Sequence, residues 1–242
     1  MTAQHSIAIA IDGPAASGKS TLGAALAQKL GYLYLDTGVM YRAATLAALR
    51  QGISLNDETA IGALVQRICI DVQPPHVSDG RQYTVLLDGQ DVTWDLRLPE
   101  VEAGVSIVSA YPSVRAEMVR QQRQIAHQMN VVMVGRDIGT VVLPDATVKI
   151  YLDASVEERA GRRWREILSR GESANYEDIL AGLRARDQLD TSRPQSPLRP
   201  AEDAIIIDST HHTAEEIISL CYNLVVTQLK QKAAKLSGPH GS

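Results

Sequence analysis

Apolar and polar positions alternate along this chain in a rhythm that switches repeatedly between the strand and helix periods. Ile7-Ala8-Ile9-Ala10-Ile11 is an unbroken apolar run, and Leu22, Leu26 and Leu30 then fall on one side of a helix. Tyr32–Leu35 repeats the extended run, and a helical segment continues from it to about Arg50. The polar stretch Ser54-Leu55-Asn56-Asp57-Glu58 offers N-cap residues for a short helix through Ile68. The texture then changes. Ile70–Val72, Tyr83–Leu87 and Asp91–Thr93 are brief extended runs divided by the turn signals Asp79-Gly80 and Asp88-Gly89. Helices over about Pro99–Ala110 and Ser113–Met129 follow, with Pro112 marking the break between them. Val131–Val134 and Thr147–Leu152 read as buried parallel strands. Helical segments over about Ser155–Arg170 and Tyr176–Gln188 flank the turn-prone stretch Gly171–Asn175. Ala204–Ile207 is the last strand, and a helix from Thr213 sets Ile217, Ile218, Cys221, Leu224 and Val225 at helical spacing.

Strands alternating with helices predict an α/β fold: a parallel sheet with helices on both faces, interrupted by a small antiparallel β insert and a helical lid. The pattern divides the chain into core (1–66), insert (67–100), core (101–158), lid (159–175), core (176–230) and a disordered tail (231–242). The 45% apolar content is enough for a sizeable core. A net charge of −4 argues against general nucleic-acid binding, which needs a basic surface. No signal-like opening and no membrane-length apolar run are visible, so a cytoplasmic protein is expected, acting as a monomer. Cys69 and Cys221 lack metal-ligand spacing and read as buried, reduced thiols. Met40, Met118, Met129 and Met133 read as core filler, and the histidines, including His211-His212, as surface positions.

The chemistry begins where the first strand ends. Gly13-Pro14-Ala15-Ala16-Ser17-Gly18-Lys19-Ser20-Thr21 fits G-x-x-x-x-G-K-[ST], a phosphate-binding loop (P-loop), with a strand before it and a helix after it. Glycines let successive backbone N–H groups face one centre, and the helix N-terminus adds partial positive charge there. Lys19 would bridge the terminal phosphates of a nucleoside triphosphate, and the Ser20 hydroxyl would ligate magnesium. No guanine-reading Asn/Thr-Lys-x-Asp is present, and the strand Val131–Val134 ends without an acidic residue. The chain instead carries arginines near its loops: Arg42, Arg115, Arg136, Arg159, Arg162, Arg163, Arg186 and Arg193. Guanidinium forks neutralise and orient phosphate oxygens, so this set suits a pocket for two phosphorylated ligands. Arg162 and Arg184 read as members of a solvated helix face, whereas Arg136 in the strand-end loop Gly135-Arg136-Asp137-Ile138-Gly139 has no ready structural explanation.

Five stretches together resemble the bacterial cytidylate kinase family. They are Ile11-Asp12-Gly13-Pro14, Leu35-Asp36-Thr37-Gly38-Val39-Met40-Tyr41-Arg42, Gly135-Arg136-Asp137-Ile138-Gly139-Thr140-Val141-Val142, Leu152-Asp153-Ala154-Ser155 and Arg186-Asp187. The resemblance runs from about Ile7 to Leu229 and implies transfer of the γ-phosphoryl group of ATP, with magnesium, to CMP or dCMP. It places Thr37, Arg42, Arg136 and Arg193 at the monophosphate, and Ser106, Arg115 and Asp137 at the cytosine ring. It places Arg186 and Asp190 at the sugar, and Arg159 and Arg163 in a lid over the triphosphate. The base itself argues for the ring assignment. Cytosine offers an N4 amino donor beside two acceptors, so a carboxylate with Arg and Ser donors would read it and reject uracil. Val134 departs from the family, which carries Asp or Glu there, and leaves Asp12 as a candidate to organise magnesium water. The alternatives are another small-molecule kinase on this scaffold (uridylate-, adenylate- or shikimate-type) and a non-catalytic nucleotide-binding regulator.

Overall fold

The computed structural model describes residues 6–193 and 196–236. Five parallel strands form the central sheet: β1 (Ala8–Asp12), β2 (Leu33–Asp36), β6 (Val131–Gly135), β7 (Val148–Asp153) and β8 (Ile205–Asp208), in the order β2-β6-β1-β7-β8. Every residue of β1 and β6 is buried, as expected for strands covered on both faces. Alternation along the strands sorts their side chains into two cores. Ile9, Ile11, Val132, Val134, Ile150 and Leu152 face α1 (Lys19–Leu30) and α8 (Ala214–Leu236). Ala8, Ala10, Val131, Met133, Leu33 and Leu35 face the larger core with α2 (Gly38–Arg50), α3 (Glu58–Val65), α4 (Pro99–Val108) and α5 (Pro112–Gln128).

Local chemistry sets the ends of these helices. Asp57 Oδ1 accepts the Ala60 N–H at 2.9 Å to open α3. Ser155 Oγ does the same for Glu158 N–H at the start of α6 (Val156–Ser169). Asn175 caps α7 (Tyr176–Ser192). Pro112 is the first residue of α5, where its missing N–H costs nothing, so it opens that helix as well as ending the one before. The predicted antiparallel insert is present as β3 (Ile70–Gln73), β4 (Thr84–Leu87) and β5 (Gln90–Asp91).

Three expectations are corrected. Helix α8 runs on to Leu236 through much of the stretch expected to be a disordered tail; its repeat of Lys, Gln, Ala and Leu is good helix-forming composition. The rest of that tail, 237–242, lies outside the described residues. Cys69 is exposed, because it directly precedes β3 between Ile68 and Ile70, which take the inward positions, while Cys221 is buried. Met129 is 39% exposed at the extended residue that follows α5, and the other three methionines are fully buried.

Candidate active site

The carboxyl ends of the sheet strands gather the residues that carry chemistry. The P-loop leaves β1 by a turn that only glycine fits: a Cβ on Gly13 (φ +150°) would lie 2.1 Å from the Leu152 carbonyl oxygen. The loop's carbonyls are tied outward. Arg159 Nη1 donates to Ala15 O at 3.1 Å, and Arg162 Nη1 donates to Ser17 O at 3.3 Å. In a planar trans peptide the N–H opposes its carbonyl, so these bonds turn the Ala16 and Gly18 amides the other way, toward the loop's concave side.

Lys19 is buried and folds back on this loop, with Nζ 2.6 Å from Pro14 O and 3.4 Å from Ser17 Oγ. Burial lowers its pKa well below the ordinary lysine value, and the charge on Arg136 adds to this; Asp36 and Asp12 pull the other way. A bound polyphosphate would favour its charged form. Ser20 Oγ donates to Asp36 Oδ2 at 2.9 Å. A hydroxyl that lends a lone pair to a cation keeps its proton, so an acceptor aimed at that proton fits magnesium binding. Among the described residues no three acidic, imidazole or thiol groups converge into an all-protein metal cage. Magnesium would be held through Ser20 and phosphate oxygens, and it would supply charge neutralisation for the transferring phosphoryl group.

Asp12, at the end of β1, has a different task. Its two oxygens accept the Ile138 and Gly139 amides at 2.7 Å each, holding the turn that follows β6. Burial raises its pKa to about 6 against those two stabilising bonds.

On the other side of the cleft, Arg136 Nε donates to Asp190 Oδ2 at 2.9 Å, and Arg193 holds the other Asp190 oxygen. Asp190 is 2% exposed. Its carboxylate accepts from both arginines and so sets their positions, beside the expected place of the sugar and neighbouring phosphate. Arg186 approaches the same cluster, where local burial and then the Arg136 charge lower its pKa. Arg42 reaches Glu102 at 3.1 Å and Leu96 O at 3.4 Å. The Thr37 hydroxyl is committed to Val134 O at 3.0 Å, so its contribution to an anion is its place at the N-terminus of α2.

The residues expected at the base are partly assembled. Arg115 Nη2 and Asp137 Oδ2 pair at 2.5 Å, both buried, joining the start of α5 to the end of β6. Ser106 is exposed on α4, and no hydrogen bond joins its side chain to that pair. Arg159, expected in the lid, is 4% exposed and braces the P-loop against Asp187 of α7. Arg163 is half-buried, pairs with Glu166 at 2.8 Å, and faces the P-loop across a cleft of about 370 Å³ that Lys19, Ser20 and Arg162 also line.

Sequence reasoning missed Arg162. Its guanidinium holds Ser17 O, Ser209 O and Ser209 Oγ, and it walls a cavity of about 510 Å³ with Thr21, Ser209, Thr210, His211 and Ile218. The signal was available: Arg162 stands three residues after Arg159, one helical turn along the same face. Nothing local marked the Ser209–His211 loop, which the strand β8 delivers from nearly two hundred residues away.

A strand-loop-helix phosphate cradle facing an arginine cluster across the carboxyl edge of a parallel sheet defines a P-loop phosphotransferase with a second anionic ligand. Comparison with known sequences narrows the class. A model of the cytidylate kinase family matches residues 9–227, and the chain belongs to that family. It is 56% identical to the cytidylate kinase of Chloroflexus aggregans over 218 residues, 90% of this chain and 93% of that one. It is 50% identical to the cytidylate kinase of Herpetosiphon aurantiacus over 225 residues, 93% and 96% of the two chains. No helix among the described residues is long and apolar enough to cross a membrane.

Proposed function

We propose that this protein transfers the γ-phosphoryl group of ATP, with magnesium, to CMP or dCMP, releasing ADP and CDP or dCDP. One observation carries the reading: the buried Arg115–Asp137 pair stands at the end of β6, one residue beyond the phosphate-facing Arg136. That spacing suits a ligand with a base at one end and an anion at the other. Asp137 accepts the cytosine N4 hydrogen and Arg115 donates to the ring acceptors; uracil would turn an acceptor toward the carboxylate. The cavity walled by Arg162 and Ser209–His211 receives the donor's nucleoside beside its triphosphate.

The acceptor needs no general base, because its attacking phosphate oxygen is already ionised at neutral pH. Catalysis is positioning and charge neutralisation. The P-loop amides and Lys19 hold the donor, while Arg136 and Arg193, fixed on Asp190, orient the acceptor phosphate with Arg42 and Arg186. Arg163 closes the charge around the transferring group from α6, and closure excludes water as a competing acceptor. The test is ADP production from ATP and magnesium with CMP, dCMP, UMP, AMP and shikimate in parallel. Turnover on CMP and dCMP well above the others is the expected result. Equal or greater turnover on UMP, AMP or shikimate would overturn the assignment.

A further inference from the structure

Four of the five sheet strands end in aspartate, namely Asp12, Asp36, Asp153 and Asp208, and their bonds separate their roles. Asp12 gives its two oxygens to the Ile138 and Gly139 amides. Asp153 accepts from Ala154 N–H, and Asp208 accepts from the backbone and hydroxyl of Thr210. Asp36 alone of the four bonds the P-loop hydroxyl, accepting Ser20 Oγ on Oδ2, while its Oδ1 takes the Gly38 amide at 3.1 Å. It is half-buried, whereas Asp12 is 4% exposed.

The neighbouring strand end carries no competing charge. Val134 is the register partner of Asp36 across the β2–β6 pair, so the two side chains share the face beneath α1. Val134 fills that space as packing: a Cβ on Gly23 would lie 2.4 Å from its Cγ2. Two aromatic side chains stand near Asp36. Tyr34 of β2 and Tyr83, which precedes β4 in the insert, stand 5.7 Å apart. Burial and then the nearby Asp36 charge raise both phenols, Tyr83 to about 12. Lys19 is within reach of the same carboxylate's field.

We infer that Asp36 is the positioning residue for the metal in this chain: it orients the Ser20 hydroxyl and holds the water shell of the nucleotide-bound magnesium, with Val134 contributing packing only. The inference rests on the proposed reading of the P-loop as the site of ATP and magnesium.

The test is Asp36→Asn in the full-length protein, which keeps the side chain's size and one acceptor and drops the charge. ATP binding is measured by calorimetry with magnesium and with EDTA, without any acceptor, alongside Mn²⁺ binding to the ADP complex by electron paramagnetic resonance. The expected result is unchanged affinity for metal-free ATP, a loss of about tenfold or more in the gain that magnesium provides, and weaker Mn²⁺ binding. Unchanged metal dependence overturns the inference. So does equal loss of metal-free ATP binding with an intact melting transition, which would make Asp36 a support of loop geometry alone.

Val134→Asp is the second variant if Asp36→Asn does not fold. With Asp36 already serving the metal, Mn²⁺ affinity should move less than about twofold; a gain of about tenfold would show the metal underserved and overturn the inference. Because both readouts omit CMP, failure of the acceptor assignment would leave them standing and be recognised separately.

Discussion

The donor and acceptor sides of this cleft are built in opposite ways. On the donor side, one continuous loop of the chain forms the cradle, and distant groups such as Arg159, Arg162 and Ser209 brace it from behind through its carbonyls. On the acceptor side the residues proposed to hold the ligand are scattered, from Arg42 to Arg193. Four of them are held by an acid: Arg42 by Glu102, Arg115 by Asp137, Arg136 and Arg193 by Asp190. A polyphosphate is recognised by backbone geometry, which a short motif encodes. A base with a monophosphate needs side chains at fixed separations, and only tertiary structure supplies those.

Substitutions should divide along that line, and the largest effect belongs to the acceptor phosphate. Arg136→Ala should lower kcat about a hundredfold or more while ATP affinity, read by calorimetry, stays within about threefold. Asp190 keeps Arg193 in this variant, so the fold survives. Parallel loss of ATP binding would break the separation of the two sides. Gly13→Ala strikes the donor side through the backbone. Its Cβ cannot be placed 2.1 Å from Leu152 O, so the loop must move, at a cost on the order of 1–3 kcal/mol. A lower melting temperature with weakened ATP binding is the expected pair of results. Arg162→Ala should raise the KM for ATP about five- to tenfold with little change in the KM for CMP, since one polar brace is lost behind the loop. A change confined to CMP would move Arg162 across the divide.

The smallest effect is a pH dependence of stability. Asp12 titrates near 3.8 unfolded and near 6 folded, so the folded state binds the extra proton between those values. Its favourable contribution is complete below 3.8 and is lost as pH rises through 6, about 3 kcal/mol over the whole range but only about 1 kcal/mol between pH 5.5 and 7.5. Chemical denaturation of the wild type at pH 5.5 and 7.5 should therefore show a smaller pH 7.5 value than an Asp12→Ala reference series predicts. A difference between proteins that does not vary with pH would remove Asp12 as its source.

The same contrast explains what could be read from the chain. The P-loop was legible because its spacing, its preceding strand and its following helix are contiguous. The parallel strands were legible because burial on both faces leaves unbroken apolar runs. Helix ends differ by a few residues from the pattern: α3 stops at Val65 short of Ile68, and α7 runs past Gln188 to Ser192. Arg162 was misread as a solvated face residue because its partners, Ser17 and Ser209, are 145 and 47 residues away. The two arginine partners of Asp190 could be found only in three dimensions. Asp36 stood inside a recognised motif, yet its bond to Ser20 depends on β2 ending level with the first turn of α1.

The most direct test of the divided site is kcat/KM for CMP and for UMP, in the wild type and in Asp137→Ala, with the KM for ATP measured alongside. The account predicts that the CMP-to-UMP ratio falls by about tenfold or more while the KM for ATP holds, because only the acceptor side reads the base. An unchanged ratio, or a shift that appears equally in ATP, would contradict it.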